Sequence, residues 1–321
     1  MSMRIGLSAI LFASVLTVST LVIGAVLERD EYVQVSGFQV SISPGAPGDE
    51  GRWQTLDGGT LTFHETQGAT IGTDKYQSTE TGIAEFTEVT LTRQIEIGGG
   101  KMVTKLVASA FDTDLNPHVA AIHMEPLVFP AVPASDGRAQ QHKTFQPGQP
   151  QLGHATFTIN EHPDSANDIA QWVSDTYEGK SVRRDITVNL RQSARGETVR
   201  SYTFMDCLPI YYAPISGLNS GTAGGVNKLR LKVTCNRVEF DGLPADVSEW
   251  MRAMMQTKDA SSVYRTVEVT LLDRAGAELR QQEFNEAFIT QYTFPELDAS
   301  SEEILVEGIA FQPGYWGTIT H

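Results

Sequence analysis

Few stretches of this 321-residue chain carry residue types that do chemistry, and each lacks a part the chemistry needs. Gly98-Gly99-Gly100-Lys101 has the composition of a phosphate-cradling loop, in which glycine amides and one lysine hold phosphate oxygens. Such a loop needs a glycine six positions before the lysine and a Ser or Thr after it. Ile95 and Met102 stand there instead, so the stretch reads as a turn. Asp112-x-Asp114-x-Asn116 opens like a calcium loop, whose alternate oxygens converge on one cation. Pro117 replaces its glycine and His123 its bidentate Glu, so a surface turn is expected. His118 and His123, five apart, fit neither one helical face nor a His-Glu-x-x-His zinc site. Asp206 and Glu286 are the candidates for paired acid–base work, yet they sit at strand ends with no His partner, and the chain has no Gly-x-Ser-x-Gly elbow. No catalytic, cofactor-binding or metal-ligating residue is assigned, and neither an enzyme nor a cofactor is expected.

Cys207 and Cys235 are too few for a disulfide scaffold or a Cys-x-x-Cys metal site. If their strands are neighbours in an exported protein, a bridge closing about 28 residues can form. Two buried free thiols are the equal alternative.

The elements around these residues are mostly strands. Residues 265–309 alternate apolar and polar at Val267, Val269 and Leu271, turn at Arg274-Ala275-Gly276, and alternate again from Leu279. They then run through Phe284, Phe288 and Tyr292 to a Pro295-x-Leu297 corner and a last strand at Ile304 and Val306. Period-two alternation broken by a glycine turn marks an antiparallel hairpin with one buried face. Further strands are expected at Phe38–Ile42, Leu61–Phe63, Phe86–Arg93 and Ala155–Ile159. A long loop is expected at 64–82, strand or short helix at 102–111, and loop or linker at 112–153, where prolines gather.

The hairpin pattern occurs twice. Trp172 corresponds to Trp250, Ile186 to Val267, Leu190 to Leu271, Phe204 to Phe284, Tyr212 to Tyr292 and Leu218 to Leu297, at an offset of about 78 to 81. A short helix precedes each hairpin, with capping residues before Ile169, Trp172 and Val173 and before Val247, Trp250 and Met251. Matching order, spacing and residue class over some 50 positions read as an internal duplication. Both tryptophans and Met254-Met255 are expected to pack in the core.

The formal net charge is −15 and the pI near 4.9, which argues against electrostatic binding to nucleic acid or anionic lipid. At the amino terminus, Arg4 precedes about 23 mostly apolar residues ending at Leu27, long enough for a helix to span a bilayer. Ile23-Gly24-Ala25 suits a signal peptidase, so residues 1–30 are read as a cleaved signal or a membrane anchor. Either places the protein outside the cytoplasm, and residues 5–27, if retained, are its sole membrane contact.

On these residues the repeated unit resembles the second half of tail tube proteins of contractile phages, a family that includes type VI secretion inner tubes. Val89-Thr90-Leu91-Thr92-Arg93 is similar to the family's strand ending Leu-x-Arg. Trp172 and Trp250 are similar to its helix tryptophan, Phe294-Pro295-Glu296-Leu297-Asp298-Ala299 to its corner, and Glu302-Glu303-Ile304-Leu305 to the start of its Glu-bearing last strand. The similarity covers 155–318 well and 35–95 more loosely. Family members are short, single-module and unexported, whereas this chain is doubled and starts like an exported one.

The resemblance implies a mainly β fold with short helices (α+β): two tail-tube-like β-barrel or sandwich modules, each with one packed helix. Residues 33–153 are taken as an N-terminal β region, the front half of the first module plus a linker. Residues 154–241 are the first repeat copy and 242–321 the second. The second copy lacks an obvious front half, which leaves tandem and interleaved arrangements both open. The implied function is structural: a ring or stacked tube of a contractile injection or related extracellular assembly. Two modules per chain imply a homotrimer imitating a six-fold ring, with tube or baseplate proteins as partners, and an acidic lumen would repel polyanionic cargo. The alternative is a secreted or membrane-anchored β-sandwich binding or envelope protein.

Overall fold

The computed structural model describes residues 37–43, 53–67, 79–97, 103–133, 145–193, 196–214, 227–256 and 262–320. The signal-like start, the glycine run at 98–100 with Lys101, and the glycine-rich loop at 217–225 lie outside them.

The front of the chain forms β1 (Gly37–Ser43), β2 (Thr55–Gly58), β3 (Leu61–Gln67), β4 (Thr79–Phe86), β5 (Val89–Gln94), β6 (Glu96–Ile97) and β7 (Thr104–Lys105). Next come β8 (Phe111–Thr113), β9 (Val119–Met124), β10 (Leu127–Val128), β11 (Ala131–Pro133), β12 (Phe145–Pro147) and β13 (Gln151–Leu152). A first segment holds β14 (Ala155–Asn160), α1 (Pro163–Tyr177), β15 (Arg184–Arg191), β16 (Thr198–Pro214), β17 (Lys228–Thr234) and β18 (Arg237–Asp241). The second holds α2 (Ala245–Gln256), β19 (Arg265–Leu272), β20 (Glu278–Thr293), β21 (Leu297–Asp298), β22 (Val306–Gln312) and β23 (Tyr315–Thr320).

The fold is mainly β, as the alternation predicts. One sheet runs β21-β9-β14-β17-β16-β15-β8, with β18 also on β16. The other runs β1-β19-β20-β22-β5-β2, with β23 and β10 also on β20 and β13 on β10. The pairings of the first segment recur in the second. Ile186 faces Phe204 and Val267 faces Phe284, while Tyr212 faces Leu231 and Tyr292 faces Ile309. Both long strands, β16 and β20, break register at matching places, Pro209/Tyr211 and Ile289/Gln291. Just before those breaks Asp206 and Glu286 adopt left-handed backbone, with φ of 55° and 51°. Such bulges bend a strand so that its two halves serve different walls around one core.

Chain order suggests that residues 33–153 complete the first segment, but the strands pair otherwise. β1 pairs with β19, placing Val40 opposite Val269, and β5 pairs with β22, placing Leu91 opposite Ile309. The first segment instead takes β8 on β15 and β9 on β14. The second segment's sheet is therefore closed by residues 37–94, and residues 111–241 lie between its two parts in sequence. Alternation says which residues face inward and leaves the partner strand open, so this pairing was not legible from periodicity.

Two stretches expected as loop carry strands. Region 112–153 contains six-residue β9 and short pieces through β13, because Pro117, Pro126 and Pro130 stand at strand ends, where a missing N–H costs little. β4 begins at Thr79, inside the stretch expected to loop to Gly82. Between Met102 and Phe111 the chain is extended through β7 and contains no helix among its described residues.

Each helix is anchored by its tryptophan. Trp172 and Trp250 are fully buried, and their indole N–H groups donate to the carbonyls of Val182 (2.7 Å) and Val263 (2.8 Å). Each bond satisfies the one polar atom of a large apolar side chain and ties the helix to the lead-in of the following strand. Of the two cysteine alternatives, the structure has the bridge: Cys207 on β16 is bonded to Cys235 just past β17. A cross-link closing 28 residues restricts the unfolded chain by about 3–4 kcal/mol. The C207S/C235S double variant is expected to lose that much in urea unfolding, and an unchanged midpoint would refute the estimate.

Candidate assembly surface

Where the two sheets meet, three charged side chains are buried together. Glu307 on β22 is 1% exposed; it accepts a hydrogen bond from Arg93 Nε of β5 at 2.7 Å and forms an ion pair with Arg200 of β16. The Tyr292 hydroxyl donates to the same carboxylate at 2.6 Å and lies 3.3 Å from the Tyr202 hydroxyl. Arg93 also stacks over the Trp53 ring, 4.6 Å from its centroid. Burial opposes the charge on Glu307, but Arg200, Arg93 and the Tyr292 hydroxyl outweigh it and hold the carboxyl below its ordinary range. The same burial, reinforced by the Glu307 charge, pushes both tyrosine hydroxyls up. Arg200 and Tyr202 come from one sheet, and Arg93, Tyr292 and Glu307 from the other, so the cluster is a charged staple between them.

Aromatic packing extends the junction. Phe294 lies between Tyr202, Phe204 and Phe240, with ring centroids 5.3 to 5.8 Å away. Backbone pairing crosses as well: β21 joins β9, with Leu297 opposite Ile122, and β10 joins β20, with Leu127 opposite Tyr292. Each sheet thus lends the other a short edge strand, which covers groups that would otherwise be open to association.

Beside β9, the Glu125 carboxylate accepts the His154 backbone N–H at 3.0 Å and Lys232 Nζ at 2.8 Å. These bonds, the backbone one first, bring its pKa to about 2. The concave surface here, lined by His123, Glu125, Tyr211, Arg230, Lys232 and Glu296, mixes both charges.

The residues singled out for chemistry have structural partners. Asp112 pairs with Arg191 and accepts from Asn189 (2.8 Å). Asp114 accepts the Thr187 N–H (2.8 Å), and Asn116 the His118 N–H (2.8 Å). His118 stacks on His162, and His123 meets Glu296 on the opposite side of the β9–β21 pair. Asp206 and Glu286, expected at strand ends, lie inside β16 and β20, where they mark the two bends. Among the described residues no three His, Cys, Asp or Glu side chains converge.

The staple itself was missed, although a signal for it exists. Arg93 follows Val89 and Leu91, Arg200 precedes Tyr202 and Phe204, and Glu307 precedes Ile309 and Phe311, each at alternate positions. A charge at the inward parity of an alternating strand announces a buried ion pair.

Residues 232–317 match the family model described as T4-like virus tail tube protein gp19. That stretch runs from β17 through β18, α2 and β19–β22 into β23. Among solved structures, the chain is similar to one in the extended sheath–tube complex of the extracellular contractile injection system PVC. Identity is 16% over 43% of this chain and 92% of that chain, with a TM-score of 0.37. It is also similar to a chain in the anti-feeding prophage cap (16% identity, 45% and 94% covered, TM-score 0.36). Hcp1 from Flavobacterium johnsoniae shares 8% identity over 39% of this chain and 96% of its own, with a TM-score of 0.24. No curated protein matches.

Proposed function

We propose that this chain is a structural subunit of a tube, without enzymatic activity, and that three copies close into a ring imitating six-fold symmetry. The tail tube family match over residues 232–317 carries the reading. The recurrence of β15–β18 pairings in β19, β20, β22 and β23 supports two tube-like modules in one chain, derived from an internal duplication. In this reading the modules are interleaved: residues 37–110 and 245–320 form one, and 111–241 the other, which lends β10 and β13 to β20. The staple at Glu307 is then a module–module contact made permanent by the covalent chain.

A ring also suits the physics of the sheets. Long hairpins leave unpaired edges, and closure around a ring pairs each edge with a neighbour. Rings would stack into a tube or meet a baseplate. The Cys207–Cys235 bridge and the signal-like residues 1–30 support assembly outside the cytoplasm, in an oxidising compartment. Negative-stain microscopy of purified protein lacking residues 1–27 tests the proposal. Rings or tubes about 100 Å across are expected for six β-modules around a lumen. Monodisperse single chains at high concentration would refute it and favour a β-sandwich binding protein.

A further inference from the structure

The wall that receives the staple occurs twice, and among the described residues only one is covered. Arg200 and Tyr202 are 5% and 0% exposed, Arg200 paired with Glu307 and Tyr202 against Tyr292 and Phe294, and Leu190, 0% exposed, stands opposite Arg200. Strand register gives their counterparts on β19 and β20 as Leu271, Arg280 and Gln282, and all three are only partly buried. They line an open groove with Phe38, Leu56 and Phe284. The Arg280 Nε is buried there and has no hydrogen-bond partner among the described residues.

The covering side is also left open once. Tyr212, the register counterpart of Tyr292, is half-buried where Tyr292 is fully buried. Beside it Ile210 and Tyr211 are 49% and 51% exposed. At the register position of Glu307 stands apolar Leu229, so an acid must come from elsewhere. Glu161 continues the inward parity of Phe157 and Ile159 just beyond β14 and is exposed. It lies within electrostatic reach of Tyr212, whose hydroxyl is pushed up by burial and by that carboxylate.

Among its described residues, one molecule therefore presents an unoccupied wall on one sheet and an unoccupied cover on the other. We propose that the groove at Arg280 receives Tyr212 and Glu161 of a second molecule, Glu161 taking toward Arg280 the part that Glu307 takes toward Arg200. Backbone pairing completes the contact. The counterpart of Leu127, which joins β20 at Tyr292, is Leu61 at the start of β3. This places β3 of one molecule on the β16 edge at Ile210–Tyr212 of the next. Such a contact joins unlike surfaces, so it propagates head to tail and closes only as a ring.

The inference rests on the ring reading, and one experiment separates the two. Full-length protein and the variants R280E, E161R and R280E/E161R are compared by mass photometry across a dilution series, with thermal melts run in parallel. Each single variant is expected to weaken assembly roughly tenfold or more, since each sets like charges face to face. The double variant is expected to recover most of the loss, with melting of the dissociated chains little changed because Glu161 is exposed and the partly exposed Arg280 has no hydrogen-bond partner at its Nε to lose. A wild-type protein that never assembles overturns the ring reading itself. Assembly that survives both single variants, or that the double variant fails to restore, overturns this contact and leaves the ring standing.

Discussion

Glu307→Ala is expected to lower the unfolding free energy by about 3–5 kcal/mol, the largest loss from any single polar residue in the chain. The cost comes less from lost attraction than from what remains. Arg93 and Arg200, 3% and 5% exposed, would be left facing each other with no carboxylate between them. Tyr292 would lose its acceptor at the same time. Replacing the whole group should behave differently. In Arg93→Ile/Arg200→Met/Glu307→Leu no charge is left buried, and Ile159 and Leu229 already occupy the register counterparts of Arg93 and Glu307. That triple variant is expected to recover most of the stability, because apolar side chains of similar volume often replace a buried ion cluster at no net cost. Urea unfolding of the single and triple variants checks both halves. A loss below 1 kcal/mol for Glu307→Ala would mean that the staple contributes little.

The same cluster gives a pH signature of fixed sign. The folded-state pKa of Glu307 is depressed, so its contribution is present above the unfolded carboxylate value of 4.5. It is lost as pH falls through the folded value. The stability gap between the wild type and Glu307→Gln should therefore narrow below about pH 4.5.

What could be read from the sequence divides along physical lines. Alternation in Val267–Leu271 and Ile186–Leu190 records which side chains meet the core, so these strands, the turn at Arg274-Ala275-Gly276 and both helix tryptophans were legible. The second-segment corner at Pro295-x-Leu297 was legible because proline and apolar spacing are local. Pairing is not local. Leu91 fits opposite Ile309 by the same apolar rule that fits Phe157 opposite Leu231, and nothing within β5 chooses between β22 and β17. In the sequence, the bends at Asp206 and Glu286 show only as two acids placed at strand ends. Their left-handed backbone depends on two walls of one core pulling a single long strand in different directions.

Trp172→Ala and Trp250→Ala should each cost about 3–5 kcal/mol, and each should shift one shared unfolding transition instead of splitting it. Both side chains are fully buried and each satisfies one carbonyl, so truncation opens a large cavity and leaves Val182 or Val263 without its donor. Trp→Phe at either position separates the two effects, retaining most of the packing while losing the hydrogen bond, for a smaller loss of about 1–2 kcal/mol. The single transition follows from the strand pairing. β1 and β5 reach across the chain to β19 and β22, while β10 and β21 are exchanged between the sheets. Unfolding the part that holds Trp172 strips β20 of β10, uncovers Glu307 and frees a long loop within the other part's sheet. Neither half has a complete set of partners alone. Calorimetry with coincident circular dichroism tests this: two transitions, each moved by only one tryptophan, would mean independent tandem units. A single transition moved by both would mean that the two parts fold as one body, as the proposed pair of ring positions in one chain requires.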